Sequence, residues 1–304
     1  MLNPARGFIA TANHDIRPPG YTVPLNFEFG TPFRAHRIAE VLADTTRRFT
    51  VADFEHLQHD VVSLPARTLV PELLAAARAA RRDTAWEYRQ LGGWDFALRA
   101  DGAAPVVYEV WHRALSRALL ARVVQSPAAM QLMYGGESWL DDWSSPDDAL
   151  RLVPAAARDT LMLAAMDSGL AVATRALGAD RASWRWGALH TAAFKHHVAA
   201  AFDPVPVERS GDGNTVNATA GAGFSQQYGA SYREILDLAD WDRSVATNVP
   251  GESGQPESEF YANLLPLWGS GQYFPLAFSR SAVERATKYT LWLIPASSQP
   301  ATGK

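Results

Sequence analysis

The stretch Thr160–His190, TLMLAAMDSGLAVATRALGADRASWRWGALH, divides the chain in two. Up to Leu177 its residues are predominantly apolar, interrupted by Asp167 and Arg175. The run is too short and too charged to predict a bilayer span, and it predicts a buried helix instead. Beyond Asp180 the residue types change. Trp184-Arg185-Trp186 alternates, and short β-favouring runs follow at Val205–Val207, Thr215–Ala218, Ser244–Val249 and Tyr289–Ile294. Gly- and Asp-rich turns separate them, notably Ser210-Gly211-Asp212-Gly213-Asn214.

Working back from Thr160, helical patterns cover Ala155–Leu177, Pro105–Val124 and Pro71–Arg82. Thr50-Val51-Ala52-Asp53 reads as a capping box opening a helix to about Val62. Thr31-Pro32 reads as an N-cap followed by proline at the first helical position, opening a helix over Arg34–Arg48. A Trp-, Asp- and Ser-rich connection fills Ser138–Asp148. Ahead of all this, Gly7–Thr11 reads as a packed apolar strand with almost nothing before it, which suggests a start inside a larger fold. The expected order is a strand and loop over 1–33, a mainly helical part over 34–180, strands and loops over 181–296, and a tail over 297–304. The fold class is α+β.

Composition narrows the chemistry. The 304 residues carry 28 Lys+Arg against 32 Asp+Glu and no cysteine, and 47% of them are hydrophobic. So apolar a chain is not intrinsically disordered. Its near-neutral balance gives no general attraction to nucleic acid or to an anionic membrane. A thiol nucleophile, a disulfide framework and a cysteine-ligated zinc are excluded outright. No charged segment followed by an apolar one opens the chain, so a signal peptide is not expected at residue 1.

Standard catalytic signatures are absent: no G-x-S-x-G, S-x-x-K, H-E-x-x-H or phosphate-binding glycine loop occurs. Gly211-Asp212-Gly213-Asn214 lacks the spaced carboxylates of an EF-hand and reads as a β-turn. His56 and His59 stand three apart, but a solvated helix face is favoured over a metal pair. His196-His197 reads as a polar edge. His190 sits among apolar residues, where a buried histidine bonded to backbone is favoured over a general base. Ser253, in a glycine-flanked turn, is a weaker nucleophile candidate with no base placed beside it.

Two residues stand out. Asn13 ends the apolar run Gly7–Thr11, and an amide there can present an uncharged N–H₂ donor to a cleft, as an oxyanion hole requires. From spacing alone an Asx-turn is the favoured reading. Arg34 opens a helix, where a cation opposes the helix dipole, so it is expected to be held by a carboxylate or poised near a site.

An ordered set of motifs then converges. Asn3-Pro4 with Gly7-Phe8-Ile9-Ala10-Thr11-Ala12-Asn13, then Phe33-Arg34-Ala35-His36-Arg37-Ile38, then Val51-Ala52-Asp53-Phe54-Glu55 with Gln58, Asp60, Val61 and Ser63, lie in the first quarter of the chain. Trp184, Trp186-Gly187 and His190, Gly211–Ala218, Gly229–Arg233, Gly251–Gly254, and Tyr261 with Asn263 follow. Together they resemble the penicillin acylases (penicillin amidases), a family of N-terminal nucleophile hydrolases, across Asn3–Leu293. The resemblance implies a partial αββα sandwich with a helical insertion layer, corresponding to the C-terminal part of the β subunit. It implies Asn13 as the oxyanion-hole donor, with Arg34 supporting the active site near it.

Such enzymes hydrolyse acyl amides, such as penicillins or N-acyl homoserine lactones, through an N-terminal serine whose own amine is the base. No catalytic cofactor is implied. By the resemblance, the serine, the α subunit and the N-terminal part of the β subunit lie outside these residues, and the parent enzyme is periplasmic. A non-catalytic remnant or partner subunit of such an enzyme is the alternative. The pattern departs from the family at His14, where a second asparagine is common, and at Glu28-Phe29, where Asp-Trp is common. It departs again at Ser258-Glu259-Phe260-Tyr261-Ala262-Asn263-Leu264, in place of S-P-H-Y-x-D-Q. In some relatives an acidic residue near Glu28 contributes to a structural calcium site.

Overall fold

The computed structural model describes residues 3–133, 140 and 146–295. The tail and most of the Ser138–Asp148 connection lie outside these residues. Eleven α-helices and seven short strands run through the described chain. The first helix, α1 (Phe33–Leu42), is followed by α2 (Val51–Gln58) and α3 (Leu64–Ala79). Then come α4 (Trp86–Gly92), α5 (Ala103–Val123), α6 (Pro127–Leu132), α7 (Pro146–Leu150) and α8 (Ala155–Leu177). After α9 (Trp186–Leu189) the chain forms β1 (Thr191–Ala192), β2 (Val207–Glu208), β3 (Thr219–Ala220) and β4 (Tyr228–Gly229). It continues through β5 (Arg233–Ile235), β6 (Val245–Thr247), α10 (Leu265–Gly269), β7 (Phe274–Pro275) and α11 (Arg280–Ala286).

The core is a helical layer built on the α5–α8 pair. These helices approach closely because Gly169 carries no side chain: a Cβ there would stand 2.5 Å from the Val110 carbonyl oxygen. Trp111 is fully buried between them, and its indole Nε1–H donates to the Met162 carbonyl at 3.0 Å. Leu69, Leu73, Tyr108, Leu115, Met166 and Trp186 are buried in the same cluster. Burying a large apolar side chain contributes roughly 1.5–3 kcal/mol, so this cluster dominates the stability of the chain. α8 begins and ends where its sequence pattern does. At 23 residues it is long and apolar enough to cross a membrane, contrary to the expectation from Thr160–Leu177, and it lies packed on α5.

The strands make three small antiparallel sheets, β1–β2, β3–β4 and β5–β6–β7. The chain is thus mixed helix and sheet. The capping box is present: Thr50 Oγ1 accepts from the Asp53 N–H and the Asp53 carboxylate accepts from the Thr50 N–H. α3 starts seven residues before Pro71, because Ser63 caps it and Pro65 occupies its first turn. Pro71 is carried inside the helix.

Several expectations need correction. Gly7–Thr11 is not a strand; it has no sheet partner among the described residues, and Ile9 is 59% exposed. Tyr289–Ile294 likewise forms no strand, with Leu291 and Trp292 both 83% exposed. A β-favouring composition does not make a strand without an edge to pair with. Trp184-Arg185-Trp186 leads into a helix, and Thr215–Ala218 forms turns ahead of β3. α1 ends at Leu42, six residues short of Arg48. Thr31 does not cap it; Pro32 holds the N-cap position with no side-chain hydrogen bond.

Candidate active site

Asn13 adopts a left-handed backbone, φ +64°, a region that asparagine tolerates better than most residues. Two contacts fix it. Its carbonyl oxygen accepts from the Gly30 N–H at 2.7 Å, and its side-chain Oδ1 accepts from Arg34 Nη2 at 3.0 Å. Gly30 fits closely, since a Cβ there would stand 3.1 Å from the Asn13 Cβ. Arginine can only donate, so the bond to Arg34 decides which end of the amide faces it. The Asn13 Nδ2 hydrogens point elsewhere and bond no described residue. Oδ1 accepts from Arg34 and not from the Asp15 N–H, so the side chain makes no Asx-turn, and its two N–H donors have no acceptor among the described residues.

Arg34 lies in the first turn of α1, against the dipole, and forms no ion pair with a described carboxylate. Burial pushes its guanidinium below the ordinary value, and its buried Nε has no hydrogen-bond partner among the described residues. Of the two arrangements the sequence allowed, the structure has the arginine poised at a cleft rather than held by a carboxylate.

That cleft, about 280 Å³, is lined by Arg34 together with Thr31, Glu109, His190, Asp212 and Asn214 among others. The 210–219 segment at its wall is a buried polar hub, not an exposed turn. Asp212 Oδ1 accepts from the Asn214 and Thr215 N–H groups, both at 2.8 Å. The Asp212 carbonyl accepts from the Thr219 N–H at 2.9 Å. Gly211 donates to the Leu98 carbonyl and accepts from the Trp186 indole, which bolts the hub to the helical core. Burial lifts the Asp212 carboxyl above the ordinary carboxylate range, opposed by these N–H bonds and by a hydrogen bond to Glu109. Asn214 Oδ1 accepts from the Thr31 hydroxyl at 2.8 Å.

His190 is 3% exposed and stacks on Trp186 at 4.8 Å. Its Nδ1–H donates to the Phe224 carbonyl at 2.6 Å, and its buried Nε2 has no hydrogen-bond partner within reach among the described residues. Burial depresses its pKa to about 4. It is the backbone-bonded buried histidine expected from its surroundings.

The remaining candidates lie apart. His56 is exposed, whereas His59 is half-buried against Tyr273, with its pKa depressed to about 4 by burial and by nearby Arg233 and Arg209. His196 bonds the Gly254 carbonyl. Ser253 Oγ accepts from the Gln255 N–H in a turn. No group of three or more His, Asp and Glu side chains among the described residues is arranged to hold a metal, and Glu28 is exposed. These residues alone do not form a calcium cradle. Sequence reasoning gave no site role to Gly30, Thr31, Asp212 or Asn214. The one available signal was the Gly-Asp-Gly-Asn run, which composition marks as a turn whether it is solvated or buried.

The chain is similar to several known proteins. The chain is 25% identical over 322 residues to the acyl-homoserine lactone acylase QuiP of Pseudomonas fluorescens (strain Pf0-1), covering 95% of this chain and 39% of that protein. It is 30% identical over 317 residues to the penicillin acylase 2 proenzyme of Pseudomonas sp. (strain SE83), covering 96% and 39%. The chain thus spans about two-fifths of the length of these relatives. Among solved structures, a thermostable penicillin G acylase from Alcaligenes faecalis superposes with a TM-score of 0.59 at 17% identity, over 98% of this chain and 58% of that one. That likeness shows a shared fold. The model of the penicillin amidase family matches residues 1–285, and the chain belongs to that family.

Proposed function

We propose that this chain is the oxyanion-side part of an acyl-amide hydrolase, and that a serine nucleophile from polypeptide outside residues 1–304 completes the site. Family membership supports the reaction class, and one geometric observation carries the residue assignment. The Asn13 amide has its oxygen taken by Arg34, which lines the cleft together with Gly30 and Thr31, and neither of its N–H donors has an acceptor among the described residues. In acyl transfer, the serine oxygen attacks the amide carbonyl and negative charge develops on the carbonyl oxygen. A pre-oriented Nδ2–H donor stabilises that charge without reorganising during the reaction. The intermediate collapses to an acyl-enzyme and a free amine, and water releases the acid. The Arg34 guanidinium keeps the amide oxygen turned away from the developing charge, and adds its own positive charge nearby.

The substrate class is an N-acyl amide, such as a penicillin side-chain amide or an acyl-homoserine lactone, as the names of the relatives suggest. The chemistry needs no cofactor. A structural calcium ion would require ligands beyond Glu28. The strands, each two or three residues long, suit completion into an αββα sandwich by strands of the remaining polypeptide. The assay is hydrolysis of phenylacetyl and longer acyl anilides by residues 1–304 alone and by the enzyme containing them. Turnover is expected only in the complete enzyme. Appreciable turnover by residues 1–304 alone, lost in Asn13→Ala, would contradict the need for an outside serine.

A further inference from the structure

We propose that Thr31 and Asn214 are positioning residues for Asn13, forming a hydrogen-bonded relay from the buried hub at 210–219 to the segment that aims the Asn13 amide. Its kinetic consequence rests on the acyl-transfer reading; its geometry does not.

The segment that carries Asn13 has little packing to hold it. It is neither helix nor strand, and Ile9, Ile16 and Phe27 are exposed, Phe27 by 93%. Asn13 is instead set by Gly30 and Arg34, which flank Thr31 on either side. Whatever fixes Thr31 therefore fixes both groups that hold the amide. The Thr31 hydroxyl donates to Asn214 Oδ1, 183 positions along the chain, at 2.8 Å. This bond is made in place of an N-cap. Thr31-Pro32 has the sequence of a helix start, yet α1 has no side-chain cap. A threonine cap typically contributes about 1 kcal/mol, so the helix forgoes a stabilising contact while the hydroxyl reaches across to the hub.

The far end of the relay is firm. Asn214 is 6% exposed, its N–H is held by Asp212, and the hub is bonded to Leu98 and Trp186 of the helical layer. The hub can thus transmit the position of the core to a segment that lacks a core of its own. Gly30 completes the fit, because a larger residue would press its Cβ on that of Asn13.

Two readouts test the relay. The first is the side-chain amide signal of Asn13 in ¹⁵N-labelled full chain, which follows the amide whether or not any reaction is known. The second is kcat and KM in the enzyme containing this chain. Thr31→Val removes the donor with little change of shape, and Thr31→Ser keeps it. We expect Thr31→Val to move the Asn13 amide signals toward solvent-averaged positions and to lower kcat roughly 10- to 100-fold, as for a misplacement of about 1 Å. KM should stay within about twofold, the pattern of an interaction made only in the transition state. Thr31→Ser should restore both readouts. Unmoved Asn13 amide signals in folded Thr31→Val overturn the relay, and where that variant does not fold, unmoved signals in Asn214→Ala do the same. An enzyme that turns over no acyl amide overturns the acyl-transfer reading, while the amide spectrum still decides the relay.

Discussion

The α5–α8 pair and the segment 3–31 are held in opposite ways. The helices interlock through Gly169, Trp111 and a continuous apolar cluster, so each position is over-determined by its neighbours. The segment 3–31 leaves most of its large apolar side chains exposed, and near Asn13 it is fixed by individual hydrogen bonds at Asn13, Gly30 and Thr31. The comparison teaches that the candidate catalytic residue is placed by polar point contacts to a rigid body rather than by burial of its own element. Such an arrangement gives directional control of one amide with little apolar packing around it.

The largest expected effect sharpens this contrast through stability. Leu115→Ala or Trp111→Ala should lower the unfolding free energy by about 3–5 kcal/mol in denaturant titrations, through lost transfer energy and a cavity. Ile9→Ala should stay within about 0.5 kcal/mol, as at an exposed site. An Ile9→Ala loss comparable to the core variants would mean that the segment is packed after all.

The second prediction concerns pH at the seam between the two regions. His190 is buried and neutral, with its pKa lowered from 6.5 to about 4, chiefly by burial. Between these values the unfolded chain binds a proton that the folded chain does not, so stability rises with pH across the window. The contribution of neutral His190 is present in full above about pH 6.5 and is lost as pH falls toward 4. His190→Asn should flatten the acid limb of the stability profile by up to about 1.4 kcal/mol per pH unit. An unchanged slope would mean that His190 takes up its proton over the same pH range in the folded and unfolded chain.

The smallest effect falls on the ties of α1. Arg37 donates from Nε and Nη2 to Asp60 Oδ2 at 3.0 and 2.7 Å, and the pair is only partly exposed. Arg37→Met should cost about 1 kcal/mol in thermal or chemical unfolding, since partial solvation limits such pairs. A loss above about 3 kcal/mol would show that these polar ties, and not the helical core, hold the amino-terminal third.

The same contrast governs what could be read from sequence. α8 was legible end to end because a long, mostly apolar run between Pro154 and Gly178 leaves few alternatives. The Thr50 capping box was legible because it is satisfied locally, within four residues. Gly7–Thr11 and Tyr289–Ile294 misled, because apolar and β-branched residues give strand propensity while a strand also needs a partner edge. Thr31 misled for a related reason: its hydroxyl bonds a residue 183 positions away, and no local pattern records that. Asn13 and Arg34 stood out through the ordered motifs, but their contact, and the buried hub behind it, required the folded chain.

If the Asn13 amide donates to the developing oxyanion, the pre-steady-state acylation rate of Asn13→Ala in the enzyme containing this chain registers its loss. Loss of one such donor should slow acylation roughly 100- to 1,000-fold. The variant should fold with a slightly lower unfolding midpoint: the side chain is exposed and Arg34 is its only described partner, but alanine costs about 1 kcal/mol at φ +64°. An acylation rate within about threefold of the parent, in the folded variant, would contradict this assignment.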